Sequence, residues 1–342
     1  MFKIDRNQGP GSPGRRRRAP NSESAVDDVQ QLHEEKGKKW FTEMNAVNPK
    51  LLPGMQTDVE VSDIIAKRKT DRHDFILLNT TAFGKVLVFD GTIQITQKDC
   101  WTYYEMSTHL PLTCHPNPRK VLIVGGLDGS GLAKEILKHE SVESVDHVED
   151  DEEMVNLLKK HFHASGFDYD NPKFKYHPVD AKKFLKLHQG EFDVIISDFS
   201  VPPPNADGLF GESYFELVKD ALKPDGITIT LTSGIWVEMR RPTRILTEKI
   251  RWLRNLFPSV DYYGFNIPSC ASGQGGNIIC SVTPEVDFRR PERPLSEDQL
   301  ADWSLGYYNL DIHAAAFALP QFVKNQLYPT GRHSDFAIYP YQ

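Results

Sequence analysis

A chain of 342 residues, 39% hydrophobic and 25% charged, is long enough to bury a large core and has the make-up of a globular protein rather than a disordered or fibrous one. Its formal net charge of −7 argues against nucleic acid as the main partner and suits a site that attracts cations. The four cysteines (Cys100, Cys114, Cys270, Cys280) have neither metal-ligand nor close-pair spacing, and no apolar run reaches the roughly 18 residues of a membrane span. A reducing, cytoplasmic setting with no zinc and no membrane association is therefore expected.

Residues 1–38 read as a disordered basic tail: Gly9–Gly14 is glycine- and proline-rich, Arg15–Arg18 is a charge run, and little there is apolar. The arginines read as a solvated run, with nuclear targeting the alternative. Residues 39–117 read as a small β-rich domain, with strands at Phe75–Leu78, Lys85–Phe89 and Thr92–Thr96. The Asp90-Gly91 pair between the last two is a hairpin signal.

Past Pro118 the rhythm changes. Strands at Lys120–Val124, Ser144–Val148, Phe174–His177, Asp193–Ser197 and Gly226–Thr232 alternate with helices at Leu132–Lys138, Glu152–His161, Lys182–Leu187 and Tyr214–Leu222. This predicts an α/β fold over 118–285, a Rossmann-like doubly wound parallel sheet whose ligands sit at the carboxyl ends of the strands. Residues 286–342 read as a C-terminal segment and tail, helical near Ser296–Ser304 and Asp311–Val323.

The most informative stretch is Val121–Gly131, where an apolar strand runs into a glycine-rich turn containing Gly125, Gly126, Asp128 and Gly129. Glu149 ends the next strand, where a ribose-binding carboxylate belongs, so an adenosine-type ligand is expected. Asp180 and Asp198 end the following two strands. Taken singly, each acid reads as a helix cap or solvated loop acid; four at successive strand ends converge on one acidic crevice. Asp198 precedes Phe199 and a stiff Val201-Pro-Pro-Pro204 loop, a position suited to orienting or deprotonating an incoming group.

These residues resemble the polyamine aminopropyltransferases. The resemblance spans roughly Trp40 to Val323 and rests on Gly84–Gln94, Tyr103-Tyr-Glu-Met106, His109–Leu112, His115–Ile123, Phe192–Asp198, Ser272-Gly-Gln274 and Tyr307–Pro320. It implies a methyltransferase-like fold and a homo-oligomer, dimer or tetramer. It also implies aminopropyl transfer from decarboxylated S-adenosylmethionine to a small amine, with no tightly bound cofactor and no metal. By resemblance Asp198, helped by Tyr103, takes the proton of the attacking amine, Glu149 holds the ribose, Asp180 the adenine amino group and Asp128 the donor's ammonium.

The chain also departs from that pattern. Leu127 and Ser130 replace loop glycines, and a leucine there is expected to crowd the donor. The acceptor-gripping acid becomes Val201, a second acid becomes Ser233, an acceptor-lining tyrosine becomes Cys270, and a donor-contacting glutamine becomes Glu60. With Phe199 adding apolar bulk, putrescine is not the expected acceptor. Two alternatives stand beside this reading. One is N-methyl transfer from S-adenosylmethionine, which Asp128 disfavours by repelling that donor's carboxylate. The other is a weak or inactive paralogue acting as a binding or oligomer partner.

Overall fold

The computed structural model describes residues 31–43, 56–69, 74–127, 129–162, 166–198, 211–238 and 245–328. Arg15–Arg18, Asp128, Phe199 and Val201 lie outside them. Among the described residues, the first sheet is a six-stranded antiparallel meander in sequence order. Its strands are β1 (Leu32–Glu35), β2 (Lys38–Glu43), β3 (Thr57–Lys69), β4 (Asp74–Thr80), β5 (Gly84–Phe89) and β6 (Thr92–Thr96). Asp90 (φ 46°) and Gly91 (φ 78°) are both left-handed, as a tight Asp-Gly hairpin turn requires.

Residues 31–38, expected in the tail, instead form a hairpin: β1 pairs with β2 through a second left-handed turn at Lys36 (φ 53°) and Gly37 (φ 75°). β1 is polar and largely exposed, so it has no apolar periodicity to announce it; main-chain pairing to β2 holds it.

This sheet is buried on both faces where β4 and β5 are apolar, at Phe75–Leu78 and Val86–Phe89. In β4, Ile76 and Leu78 join Phe41, Val61, Val86 and Val88 on one side. Phe75 and Leu77 join Leu87 and Phe89 on the other, against Met154, Val155 and Leu158 of a helix described below.

Cys100–Cys114 is a helix, α1, within the segment 39–117 that reads as β-rich in sequence. Two things hid it. Thr102, Tyr103 and Tyr104 are strand-favouring types, and the helix is buried on almost every side, so its apolar residues show no 3.6-residue stripe. It packs mainly on α2 (Ser130–Ile136) and the second sheet, while Cys100 at its start joins the apolar cluster of the meander.

The second sheet alternates strand and helix: β7 (Lys120–Gly125), α2, β8 (Ser144–Val148), α3 (Glu152–His161), β9 (Phe174–His177), α4 (Ala181–Leu187), β10 (Phe192–Asp198), α5 (Glu212–Ala221) and β11 (Leu222–Ser233). Then come α6 (Ile235–Glu238), α7 (Ile245–Leu256), β12 (Ser259–Asn266) and β13 (Gln274–Ser281). The strand order is β12-β13-β11-β10-β7-β8-β9. β13 runs antiparallel between β11 and β12, so the sheet is mixed where an all-parallel one was expected. Period-two alternation splits its core: Val121, Ile123, Val194 and Ile196 face α1 and α2, while Leu122, Val124 and Ile195 face α4, α5 and α7. Three short helices, α8 (Glu297–Asp302), α9 (Leu310–Ala315) and α10 (Gln321–Leu327), complete the described chain. Among the described residues, no helix is long and apolar enough to cross a membrane.

Candidate active site

The glycine-rich turn leaves β7 through four left-handed residues, Gly125 (φ 77°), Gly126 (φ 78°), Leu127 (φ 61°) and Gly129 (φ 65°). Glycine is needed at Gly126 for space as well as for φ: a Cβ there would sit 3.0 Å from Asp198 Oδ2 and 3.2 Å from Ile123 Cγ2. Leu127 holds a left-handed conformation at a cost of roughly 1–2 kcal/mol. Its side chain is taken up by the apolar cluster of Phe75, Leu77, Leu87 and Met154. The turn is thereby tied to the first sheet.

Asp198 ends β10 directly beside this turn. Its main chain is paired with Gly125, and its carbonyl accepts the Gly126 N–H at 2.7 Å. Its carboxylate accepts a hydrogen bond from the Tyr103 hydroxyl of α1. Burial pushes the Asp198 carboxyl up to about 6, against the opposing pull of the Tyr103 bond. Burial, then the Asp198 charge, push the Tyr103 phenol well above its usual range, so it remains a donor. Two positions assigned from resemblance are thus brought into contact, and the result is a carboxylate able to gain and lose a proton near neutrality.

Glu149, partly buried at the end of β8, accepts the Asp151 N–H at 2.9 Å. Burial pushes its carboxyl up to about 7, partly offset by that bond and reinforced by Asp150 and Asp151. Asp180 uses Oδ1 to cap α4 through Lys183 N–H at 2.9 Å, leaving Oδ2 outside that bond. Ser233 ends β11, opposite Gly275 of β13. Cys270, itself exposed, sits on a turn closed by the bonds Cys270 N–H to Ile267 O and Gly273 N–H to Cys270 O. Glu60 is not drawn into these contacts: its carboxylate pairs with Lys38 of β2 at 2.8 Å, within the first sheet.

Several supporting residues were given no role by the sequence, although Glu105 lies within the Tyr103–Met106 motif. Buried Glu105 accepts the N–H groups of Gly306, Tyr307 and Tyr308 at 2.9, 2.8 and 2.8 Å, clamping the C-terminal segment to the helix that carries Tyr103. Asp99 accepts the Ser269 N–H at 2.7 Å and the Thr96 hydroxyl at 2.5 Å, fixing the Cys270 turn against the start of α1. Glu43 is buried and accepts the Ile93 N–H; burial outweighs that bond and pushes its carboxyl up to about 7. Glu43 and Asp99 are the carboxylates whose charge reaches Cys270. Each is an ordinary acid in sequence, and only its distant partners distinguish it.

His115, Asp193 and Asp225 form a metal-sized cluster at the opposite end of the second sheet. Its chemistry is that of a hydrogen-bonded ion group. Lys223 Nζ lies 2.8 Å from both Asp193 oxygens, and His115 Nδ1 accepts the Asn117 N–H, so Nε2 carries the ring proton and has no lone pair for a cation.

A carboxylate kept on the edge of protonation beside a nucleotide-type turn belongs to an enzyme of the Rossmann-like, methyltransferase-type class. Residues 100–290 match the family model "Spermine/spermidine synthase domain", and residues 39–97 match "Spermidine synthase tetramerisation domain". The chain belongs to the spermine/spermidine synthase family. It is 36% identical to the spermidine synthase of Schizosaccharomyces pombe over 84% of this chain and 93% of that protein. It is 37% identical to spermidine synthase 2 of Datura stramonium, over 86% of this chain and 91% of that one. The crystal structure of spermidine synthase from Thermotoga maritima superposes with a TM-score of 0.71 at 28% identity, covering 84% of this chain and 93% of that one. A spermidine synthase in complex with the transition state analogue AdoDATO gives 0.72, also at 28% identity, covering 84% and 94%.

Proposed function

We propose that the protein transfers an aminopropyl group from decarboxylated S-adenosylmethionine to an amine, with Asp198 as the proton acceptor. The observation that carries this reading is the Tyr103–Asp198 pair, set against the glycine-rich turn with a carboxyl near 6. An amine nitrogen attacks the methylene next to the sulfonium. The new C–N bond forms as the C–S bond breaks, methylthioadenosine leaves, and the proton shed by the nitrogen passes to Asp198. A free amine near its usual pKa of about 10 is almost wholly protonated at pH 7, so a nearby carboxylate is needed to accept that proton. Tyr103 orients the carboxylate and steadies its charged form.

Glu149 holds the ribose hydroxyls, Asp180 the adenine amino group through Oδ2, and Asp128 the ammonium of the donor arm. The donor is a co-substrate that leaves as product, and no tightly bound cofactor is needed. By the resemblance, Val201, Ser233 and Cys270 are the acceptor-side positions, and they lack the acids and phenol that would grip a second ammonium. A preferred acceptor with an apolar or neutral far end follows, in place of putrescine. The match of residues 39–97 to a tetramerisation domain supports a homo-oligomer, and the chain's polar, low-cysteine make-up supports a cytoplasmic location. Mass spectrometry of products, after incubation with either donor and a panel of amines, tests this reading. Methylated products, or no products with any amine, would overturn it.

A further inference from the structure

β8 carries a histidine, His147, fully buried between Asp146 and Val148 near the strand's end. Its Nε2 lies 2.8 Å from the Gly125 carbonyl. A carbonyl only accepts, so Nε2 carries the proton and Nδ1 bears the lone pair. The direction of that bond follows from the peptide plane. The Gly126 N–H points towards β10, where it meets the Asp198 carbonyl, so the trans-related Gly125 C=O must point the other way, towards β8. Ladder pairing between β7 and β8 ends at Val124 and Val148, one residue short of Gly125. His147 thus supplies the donor that β8's main chain no longer provides.

The same ring also lies against the far side of the turn. A Cβ on Gly129 would be 2.8 Å from His147 Cγ and 2.9 Å from Nδ1, closer than real contacts allow. Tyr176 and Phe174, at ring distances of 5.4 and 6.1 Å, hold the imidazole in place. Nδ1 is buried and finds no donor among the described residues, a cost tolerated where the other nitrogen has a task. Burial lowers the ring's proton affinity to about 4, so it stays neutral in the tautomer the Gly125 bond requires.

We propose that His147 is a positioning residue for donor binding, holding Gly125 and Gly129, each left-handed, at the two ends of the turn that receives the nucleoside. This rests on the reading of that turn as the donor site. It touches no reacting atom: its effect passes through the Gly125 carbonyl and the Gly129 backbone.

The test compares His147→Phe, which keeps the ring between Tyr176 and Phe174 but removes the donor, with His147→Gln, which keeps a donor. In the ligand-free protein, amide exchange at Gly126 and Gly129 should quicken about tenfold in His147→Phe and recover in His147→Gln. With methylthioadenosine as probe, the Kd and the donor KM should rise about tenfold in His147→Phe, with kcat within about twofold, and His147→Gln should restore both. A fall in melting temperature with unchanged exchange and unchanged Kd would overturn the proposal and leave His147 a packing residue. If the unmutated protein binds no methylthioadenosine, the donor-site reading fails, and the proposal falls with it whatever the exchange shows of the turn.

Discussion

The Tyr103 hydroxyl donates to the Asp198 carboxylate, joining α1 to the end of β10 beside the glycine-rich turn. The bond lowers the carboxyl's proton affinity while burial raises it, and the balance falls at about 6. On the proposed reading, the pair sets the pH at which the base becomes available.

The first prediction is an acid limb in kcat/KM. Asp198 is a base only when ionised, so activity should fall as pH drops through about 6. Tyr103→Phe removes the influence that lowers the carboxyl, so its limb should move to higher pH and activity at pH 6.5 should fall more than at pH 8.5. Asp198→Asn should abolish transfer to every amine. A limb unmoved by Tyr103→Phe would mean the hydrogen bond does not tune the base.

Glu149 should trade stability for binding. Its folded carboxyl is raised from 4.5 to about 7, so the protonated form is favoured by folding. Its contribution is complete below the unfolded value and is lost as pH rises through about 7. Glu149→Gln should therefore stabilise the ligand-free protein at pH 8 by on the order of 1 kcal/mol, discounted for partial exposure, and change little at pH 4. The same substitution should weaken methylthioadenosine binding about tenfold by removing a charged acceptor. Thermal melts at the two pH values and calorimetry check the two halves separately.

Gly126→Ala should damage catalysis more than stability. The new methyl would meet Asp198 Oδ2 at 3.0 Å with φ at +78°, so the carboxylate that accepts from Tyr103 must give way by a few tenths of an ångström. A backbone cost of about 1–2 kcal/mol is expected from the left-handed conformation. A drop of at least about tenfold in kcat should accompany it, since proton transfer depends on placement. Kinetics that track the loss of folded protein alone would refute the steric argument.

Acceptor choice gives a fourth test. Restoring an acid with Val201→Asp should raise putrescine use by about tenfold to a hundredfold if one charge-assisted contact is regained. On the proposed reading Glu43 and Asp99, whose charges act on Cys270, are carboxylates near the acceptor, and burial pushes the Glu43 carboxyl up to about 7. Efficient putrescine turnover by the unmutated protein would overturn this reading of the acceptor side.

Oligomeric state is the fifth. The segment matching the tetramerisation domain carries β3 to β6 and most of β2, so a closed homodimer or homotetramer is expected at micromolar concentration. Sedimentation as a monomer would refute it.

What the sequence determined by itself is the set of features that depend on neighbours along the chain. The Val121–Val124 run ending in glycines, the Asp90-Gly91 turn and the acids closing β8 and β10 are local patterns, and the Rossmann-like order of elements follows from them. α1 escaped because a helix buried all round has no polar face to mark its period, and β1 because a polar strand held by its main chain has no alternation. The antiparallel course of β13 is a property of chain return, which periodicity does not record. The proton affinities of Asp198 and Glu149, the Tyr103 bond, the Glu105 clamp and the place of His147 under the turn were decided only by tertiary structure. Each depends on desolvation and on partners drawn from distant elements, and a side chain's charge preference is set by what surrounds it in space.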